Sequence, residues 1–147
     1  MHRPETVDLP IQLSEGATLP AYQTSGAAGM DLCTSETFVL NPMERRLVGT
    51  GVRVAIPEGF EGQVRPRSGL AIRNGISMVN TPGTIDSDYR GELRLILINF
   101  GAEAVQFSQG DRIGQLVICP VVRAAIKVVD GLDDTERGEG GFGSTGK

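Results

Sequence analysis

Asp86, Asp88, Tyr89 and Arg90 place two carboxylates, a phenol and a guanidinium within five residues. A carboxylate can take a proton from water, a guanidinium can grip phosphate through paired N–H groups, and a phenol combines a flat apolar face with a hydroxyl. The cluster follows Asn80-Thr81-Pro82-Gly83-Thr84-Ile85. There Pro82 presets φ for a turn, and Gly83 suits the positive φ that a type II turn needs next. Val79 to Ile85 therefore reads as a tight hairpin with Pro82-Gly83 at its tip. Behind the cluster runs Leu93 to Phe100, apolar on both faces as a buried strand is. Polar groups caught between a hairpin and a buried strand sit on a rigid scaffold.

Three other stretches carry chemistry. Arg65-Pro66-Arg67-Ser68-Gly69 leads from a strand into the one helix candidate, Ser68 to Asn74, with Ser68 as its cap and Gly75 placed to end it. Free amides at a helix start, with Arg67 and the unobstructed Gly69, make an anion pocket. Gly110-Asp111-Arg112-Ile113-Gly114-Gln115-Leu116 sets a turn before a strand, and Gln115 offers donors and an acceptor to a phosphate or a base edge. The tail is acidic from Asp130 to Arg137 and half glycine from Gly138 to Lys147, a composition that cannot order itself. A ligand could order it, Arg137 taking phosphate and Phe142 stacking on a base. Gly138-x-Gly140-x-x-Gly143 and Gly141 to Lys147 imitate a dinucleotide fingerprint and a phosphate loop, but neither has the surrounding strand-helix unit.

The elements that must position these groups are mostly strands. The chain has 147 residues, 39% hydrophobic and 22% charged, which fits one folded domain. Twenty glycines and eight prolines favour short strands and tight turns. Strands are expected at Val7 to Leu13 (an edge, because of Pro10), Gly29 to Leu32, Thr37 to Leu40, Val52 to Ile56 and Phe60 to Val64. More follow at Ile76 to Val79, Leu93 to Phe100, Val105 to Phe107, Ile113 to Val122 and Ala124 to Val129. About ten strands at roughly 8–12-residue spacing indicate an all-β sandwich, jelly roll or barrel. In so small a domain the second apolar face of Leu93 to Phe100 points to a contact with another subunit.

Net charge −4 and pI about 5.0 argue against duplex nucleic acid as a partner, which needs a basic face. No apolar run approaches a membrane span, and Met1 to Glu5 lack a signal-peptide core. Cys33 and Cys119 lie in apolar strands and read as free thiols in a reducing cytoplasm. His2 is the single histidine, which disfavours histidine catalysis and a His/Cys metal site.

Five segments in order resemble the motifs of the trimeric dUTPases: Ala28 to Leu32, Pro66 to Ala71, Asn80 to Leu93, Gly110 to Leu116, and Arg137 to Gly146. The fourth carries Gly114 where alanine is common in that family. The resemblance implies a jelly-roll-like β-sandwich over residues 1–132 with one short helix, assembled as a homotrimer, and a flexible arm over 133–147 that closes the site. It implies Mg²⁺-dependent hydrolysis of dUTP to dUMP and pyrophosphate, which keeps uracil out of DNA and supplies dUMP for dTMP synthesis. Asp86 would activate the attacking water and hold the 3′-hydroxyl. Tyr89 would pack on the deoxyribose and exclude a 2′-hydroxyl. Asn80 and the backbone of Gly83, Thr84 and Ile85 would read the uracil edge. Arg67, Ser68, Gly69 and Gln115 would hold phosphates from a second subunit, and Arg137, Phe142, Gly143 and Ser144 would close from a third. Asp31 would touch the Mg²⁺ only through water, or orient Arg67. The related dCTP deaminases share the fold, but the cluster at Asp86 to Tyr89 and the Phe142 tail favour hydrolysis.

Overall fold

Aliphatic and β-branched runs cut by Gly, Pro and Asn give ten short strands and one helix in the computed structural model, which describes residues 6–146. The readings made on His2, on the other residues of Met1 to Glu5 and on Lys147 lie outside the described residues. The strands are β1 (Ile11–Leu13), β2 (Met30–Cys33), β3 (Phe38–Leu40), β4 (Arg45–Val54) and β5 (Phe60–Arg65). After α1 (Ser68–Asn74) come β6 (Ile76–Met78), β7 (Gly83–Ile85), β8 (Glu92–Asn99), β9 (Val105–Phe107) and β10 (Arg112–Pro120). They pair antiparallel in two four-stranded sheets, β1-β4-β8-β6 and β2-β10-β5-β7, with β3-β9 as a two-stranded ribbon. This is the expected all-β jelly-roll class with one short helix.

Leu93, Leu95 and Leu97 on the inner face of β8 are buried among Val48, Val52, Leu32, Leu40, Val64 and Leu116, so both large sheets close over one core. The outer face of β8 is apolar too, as expected. There Ile96 and Ile98 are half-buried, and Leu47, in register with Ile96, is 55% exposed.

Two buried polar residues explain bends in this scaffold. Asn99 closes β8: its amide donates to the carbonyls of Leu40 (2.9 Å) and Glu103 (2.8 Å), and its Oδ1 accepts from the Gly101 amide. Thr50 sits where the β4–β8 register slips between Gly49 and Arg53. Its hydroxyl donates to Leu93 O at 2.6 Å and accepts from the Val52 amide, while Gly51 takes φ 70°. This bulge is why β4 begins at Arg45, seven residues before the expected Val52. Gly49-Thr50-Gly51 looks like a break in the pattern, yet the bulge carries the strand through it.

Four other expectations need correction. The segment Val79 to Ile85 is no two-stranded hairpin: β6 pairs with β8 and β7 with β5, so the chain passes from one sheet to the other. The Thr81-Pro82 bond is cis, and Gly83 opens β7 without a positive φ, so the turn is not type II. Ser68 is the first helical residue; the cap position is Arg67, extended at φ −94° and ψ 129°, with no side-chain capping bond. Gly75 does end the helix, at φ 70° with its amide on the Ala71 and Leu70 carbonyls. A β-carbon there would also stand 2.6 Å from the Gly101 amide. The strand expected at Ala124 to Val129 does not form within this chain: β10 ends at Pro120, and every residue from there to Glu139 is exposed.

Candidate active site

β7 is three residues long and hydrogen-bonded only to β5, and it delivers the chain to Asp86 at the lip of the sheet. A turn follows, closed by the Tyr89 amide donating to Asp86 O at 3.1 Å. Arg90 was expected as a recognition group. Instead its Nη1 donates to the carbonyls of Ser87 (2.6 Å) and Tyr89 (3.1 Å), binding the turn to itself. From β4, Arg53 reaches across to donate to Arg90 O at 3.1 Å. The Tyr89 hydroxyl donates to Glu92 O at 2.9 Å, tying the ring to the start of β8. The segment between β7 and β8 is thus fixed by five bonds before any ligand arrives. Arg53 was missed because in Val52-Arg53-Val54 it has the pattern of an ordinary solvent-facing strand residue.

Asn80, Thr84, Ile85, Asp86 and Tyr89 line one open cavity of about 610 Å³, with Leu47, Arg53, Glu92, Arg94 and Ile96 completing its wall. Its lining mixes apolar and polar side chains, and Asp86 and Tyr89 are both exposed there. Such a cavity suits a small ligand with a flat, hydrogen-bonding head. Gly83 is buried behind it, near the Asn80 amide. Asp86 also borders a second hollow of about 690 Å³, lined on its other side by Glu58, Phe60, Glu61 and Arg123.

The anion-binding candidates gather elsewhere. Gln115 lies on β10 directly between Asp31 on β2 and Arg65 on β5. Its Nε2 donates to Pro66 O at 3.3 Å, which sets it beside the Arg67-Ser68-Gly69 corner. A β-carbon on Gly29 would collide with the Gln115 Oε1, so that glycine leaves Gln115 its room. The ion partner of Asp31 is Arg112, at 3.2 Å, in place of the expected Arg67. Cys33, next to this pair, has its thiol pushed above the ordinary range chiefly by burial, which keeps it neutral. Arg67, Ser68, Gly69 and Gln115 line neither cavity.

The third group stands apart from both. Arg137 Nε donates to Gly140 O at 2.7 Å, the Gly140 amide returns to Arg137 O, and the Ser144 amide donates to Gly141 O. Phe142 is fully exposed at φ 51°, followed by Gly143 at φ 84°. All these bonds stay within the tail. Among the described residues no three acidic, cysteine or histidine side chains converge as a metal cage.

An all-β chain with an open cavity, a separate group of anion-binding candidates and a detached aromatic-basic tail defines a class: an all-β protein whose chemistry-bearing residues are distributed over several loops. Comparison with known proteins specifies it. The dUTPase family model matches residues 15–146, and the chain belongs to the dUTPase family. It is similar to the deoxyuridine 5′-triphosphate nucleotidohydrolase of Anaeromyxobacter, 62% identical over 88% of each chain. It is also similar to that of Syntrophotalea carbinolica, 55% identical over 97% of this chain and 99% of that one. Among solved structures, the dUTPase of Staphylococcus bacteriophage 80alpha with dUPNHPP superposes at TM-score 0.88. It has 30% identity, covering 97% of this chain and all of that one.

Proposed function

We propose that this chain hydrolyses dUTP to dUMP and pyrophosphate in a homotrimer whose three sites are each shared between subunits. The observation that carries the reading is the meeting of Asn80, Thr84, Ile85, Asp86 and Tyr89 around one cavity, the last two on a loop already fixed by its own hydrogen bonds. Uracil enters against Asn80 and the backbone of Gly83 to Ile85. A base with the wrong donor pattern leaves buried polar groups unpaired, which is costly. Tyr89 faces the deoxyribose. Asp86 holds the 3′-hydroxyl and takes a proton from the water that attacks the α-phosphorus; the α–β bridging bond breaks and pyrophosphate leaves. A positioned general base contributes about 10²–10⁴-fold.

The anion corner of Arg67, Ser68, Gly69 and Gln115 serves the triphosphate of a site on a neighbouring subunit. Arg137 grips phosphate, Phe142 covers the base, and Gly143 and Ser144 fold over the ligand from the third subunit. Two features support the trimer: these groups fall in separate parts of one chain, and apolar surface is left bare at Leu47 and along the tail at Val122, Ile126, Val128 and Leu132. Mg²⁺ would be held mainly by the ligand's own oxygens and water, since it dehydrates reluctantly, and Asp31 would act on it only through water. Bound there, it neutralises triphosphate charge. The activity keeps uracil out of DNA and yields dUMP for dTMP synthesis. Free Cys33 and Cys119 fit a cytoplasmic setting, and no described helix is long and apolar enough to cross a membrane.

Pyrophosphate release from dUTP, UTP, dTTP and dCTP, each with Mg²⁺ or with chelator, tests this. The expected result is release from dUTP alone, lost on chelation. Ammonia from dCTP without pyrophosphate would replace the reading by deamination.

A further inference from the structure

Gly91 separates the Tyr89 turn from β8, and its lack of a side chain has a cause that is not backbone geometry. Its φ lies outside the left-handed region, so any L-residue could adopt it. Space is what forbids one. A β-carbon at Gly91 would overlap the Tyr89 hydroxyl and stand 2.5 Å from Cζ and 2.9 Å from Cε2. The hydroxyl end of the Tyr89 ring therefore occupies the space over the bare Gly91 backbone. Its hydroxyl is held there by Glu92 O, while the Tyr89 backbone amide closes the turn on Asp86 O.

We propose that Gly91 is a positioning residue for sugar selection: its empty face sets the plane of the Tyr89 ring, and that plane sets how closely a 2′-substituent can approach. The role of Gly91 rests on Tyr89 facing the sugar, as proposed above. A methyl group at position 91 displaces the ring within the wall of the cavity that both residues line. Asp86 precedes the turn and keeps its own carbonyl bond, so the chemical step is less affected than binding.

The test uses full-length protein carrying Tyr22→Phe, which leaves Tyr89 as the one tyrosine of the two in the chain, labelled as 3-fluorotyrosine. Gly91→Ala should move the ¹⁹F resonance of the free enzyme by more than its linewidth; an unmoved resonance overturns the proposal. The kcat/KM preference for dUTP over UTP should fall about ten- to a hundredfold, mainly through KM. In a Tyr89→Ala background the same substitution should cost nothing further; an additive loss overturns the proposal. Should Gly91→Ala fold poorly, adding Tyr89→Ala should restore folding, and failure to do so counts against it equally. If Tyr89→Ala alone leaves dUTP/UTP selectivity intact, the sugar-facing reading fails, while the ¹⁹F shift still decides whether Gly91 sets the ring.

Discussion

The turn from Asp86 to Gly91 and the tail from Val122 to Gly146 both carry residues assigned to the same ligand, yet they are built in opposite ways. The turn is bound to the body: Arg53 and Arg90 occupy its carbonyls, and Tyr89 is fastened to β8. The tail bonds only to itself, and its aromatic residue, Phe142, is wholly exposed. Groups that must meet a reacting atom gain from being fixed in advance, because a loose base forfeits the advantage of orientation. Groups that exclude water must admit the ligand first, so they belong to a segment of low local stability. Under the proposed function, the two regions divide the work between chemistry and closure.

That division can be broken most severely at Asp86. Asp86→Asn should lower kcat by about 10²–10⁴-fold while leaving nucleotide affinity nearly unchanged, read from pyrophosphate release and calorimetric binding. Turnover like the parent's would remove Asp86 from the proton transfer. Next, Leu97→Ala attacks the body under the turn. It should cost about 2–5 kcal/mol in denaturant unfolding, since Leu97 is buried in the middle of β8. Deleting residues 137–147 attacks closure alone. Losing the proposed Arg137 contact to phosphate should remove about 1.5–3 kcal/mol, so kcat/KM should fall about ten- to a hundredfold. The unfolding midpoint and the light-scattering mass should stay put; a fall to monomer mass would show that the tail's end also holds subunits together.

The smallest effect sharpens the boundary between body and site. Gly114→Ala restores the residue common in the family, but its β-carbon would stand 2.5 Å from Leu95 Cδ2 in the core and 3.1 Å from Arg65 O. It should cost about 1–3 kcal/mol, partly recovered by shortening Leu95 to Val in the same chain. An unchanged stability would mean that β8 yields more easily than its packing implies.

Much of this was legible in the sequence because the informative signals are local. The helix from Ser68 to Asn74 and its Gly75 terminus follow from residue type, as do the edge at β1 and the two-sided apolar character of β8. The grouping of Asn80, Thr84, Asp86 and Tyr89 followed from their nearness in the chain. Non-local partners were hidden. Nothing near Arg53 announces that it will cap a carbonyl at Arg90, and nothing near Asp31 chooses Arg112 over Arg67. The hairpin reading of Val79 to Ile85 failed for the same reason: turn residues signal a reversal but not which sheet each arm will join. Ala124 to Val129 has strand composition without a strand partner in its own chain, and composition alone cannot supply one.

That the anion corner lines neither cavity, and that the tail's end bonds only to itself, has a consequence for how such a catalyst behaves on dilution. If each working centre needs pieces from three polypeptides, its output per milligram depends on mass action among the polypeptides themselves. A mixture of Asp86-defective and Arg137-defective subunits should then regain turnover that neither population has alone, because intact halves recombine. The same arithmetic makes a sparse population of newly made chains silent until their numbers suffice for assembly.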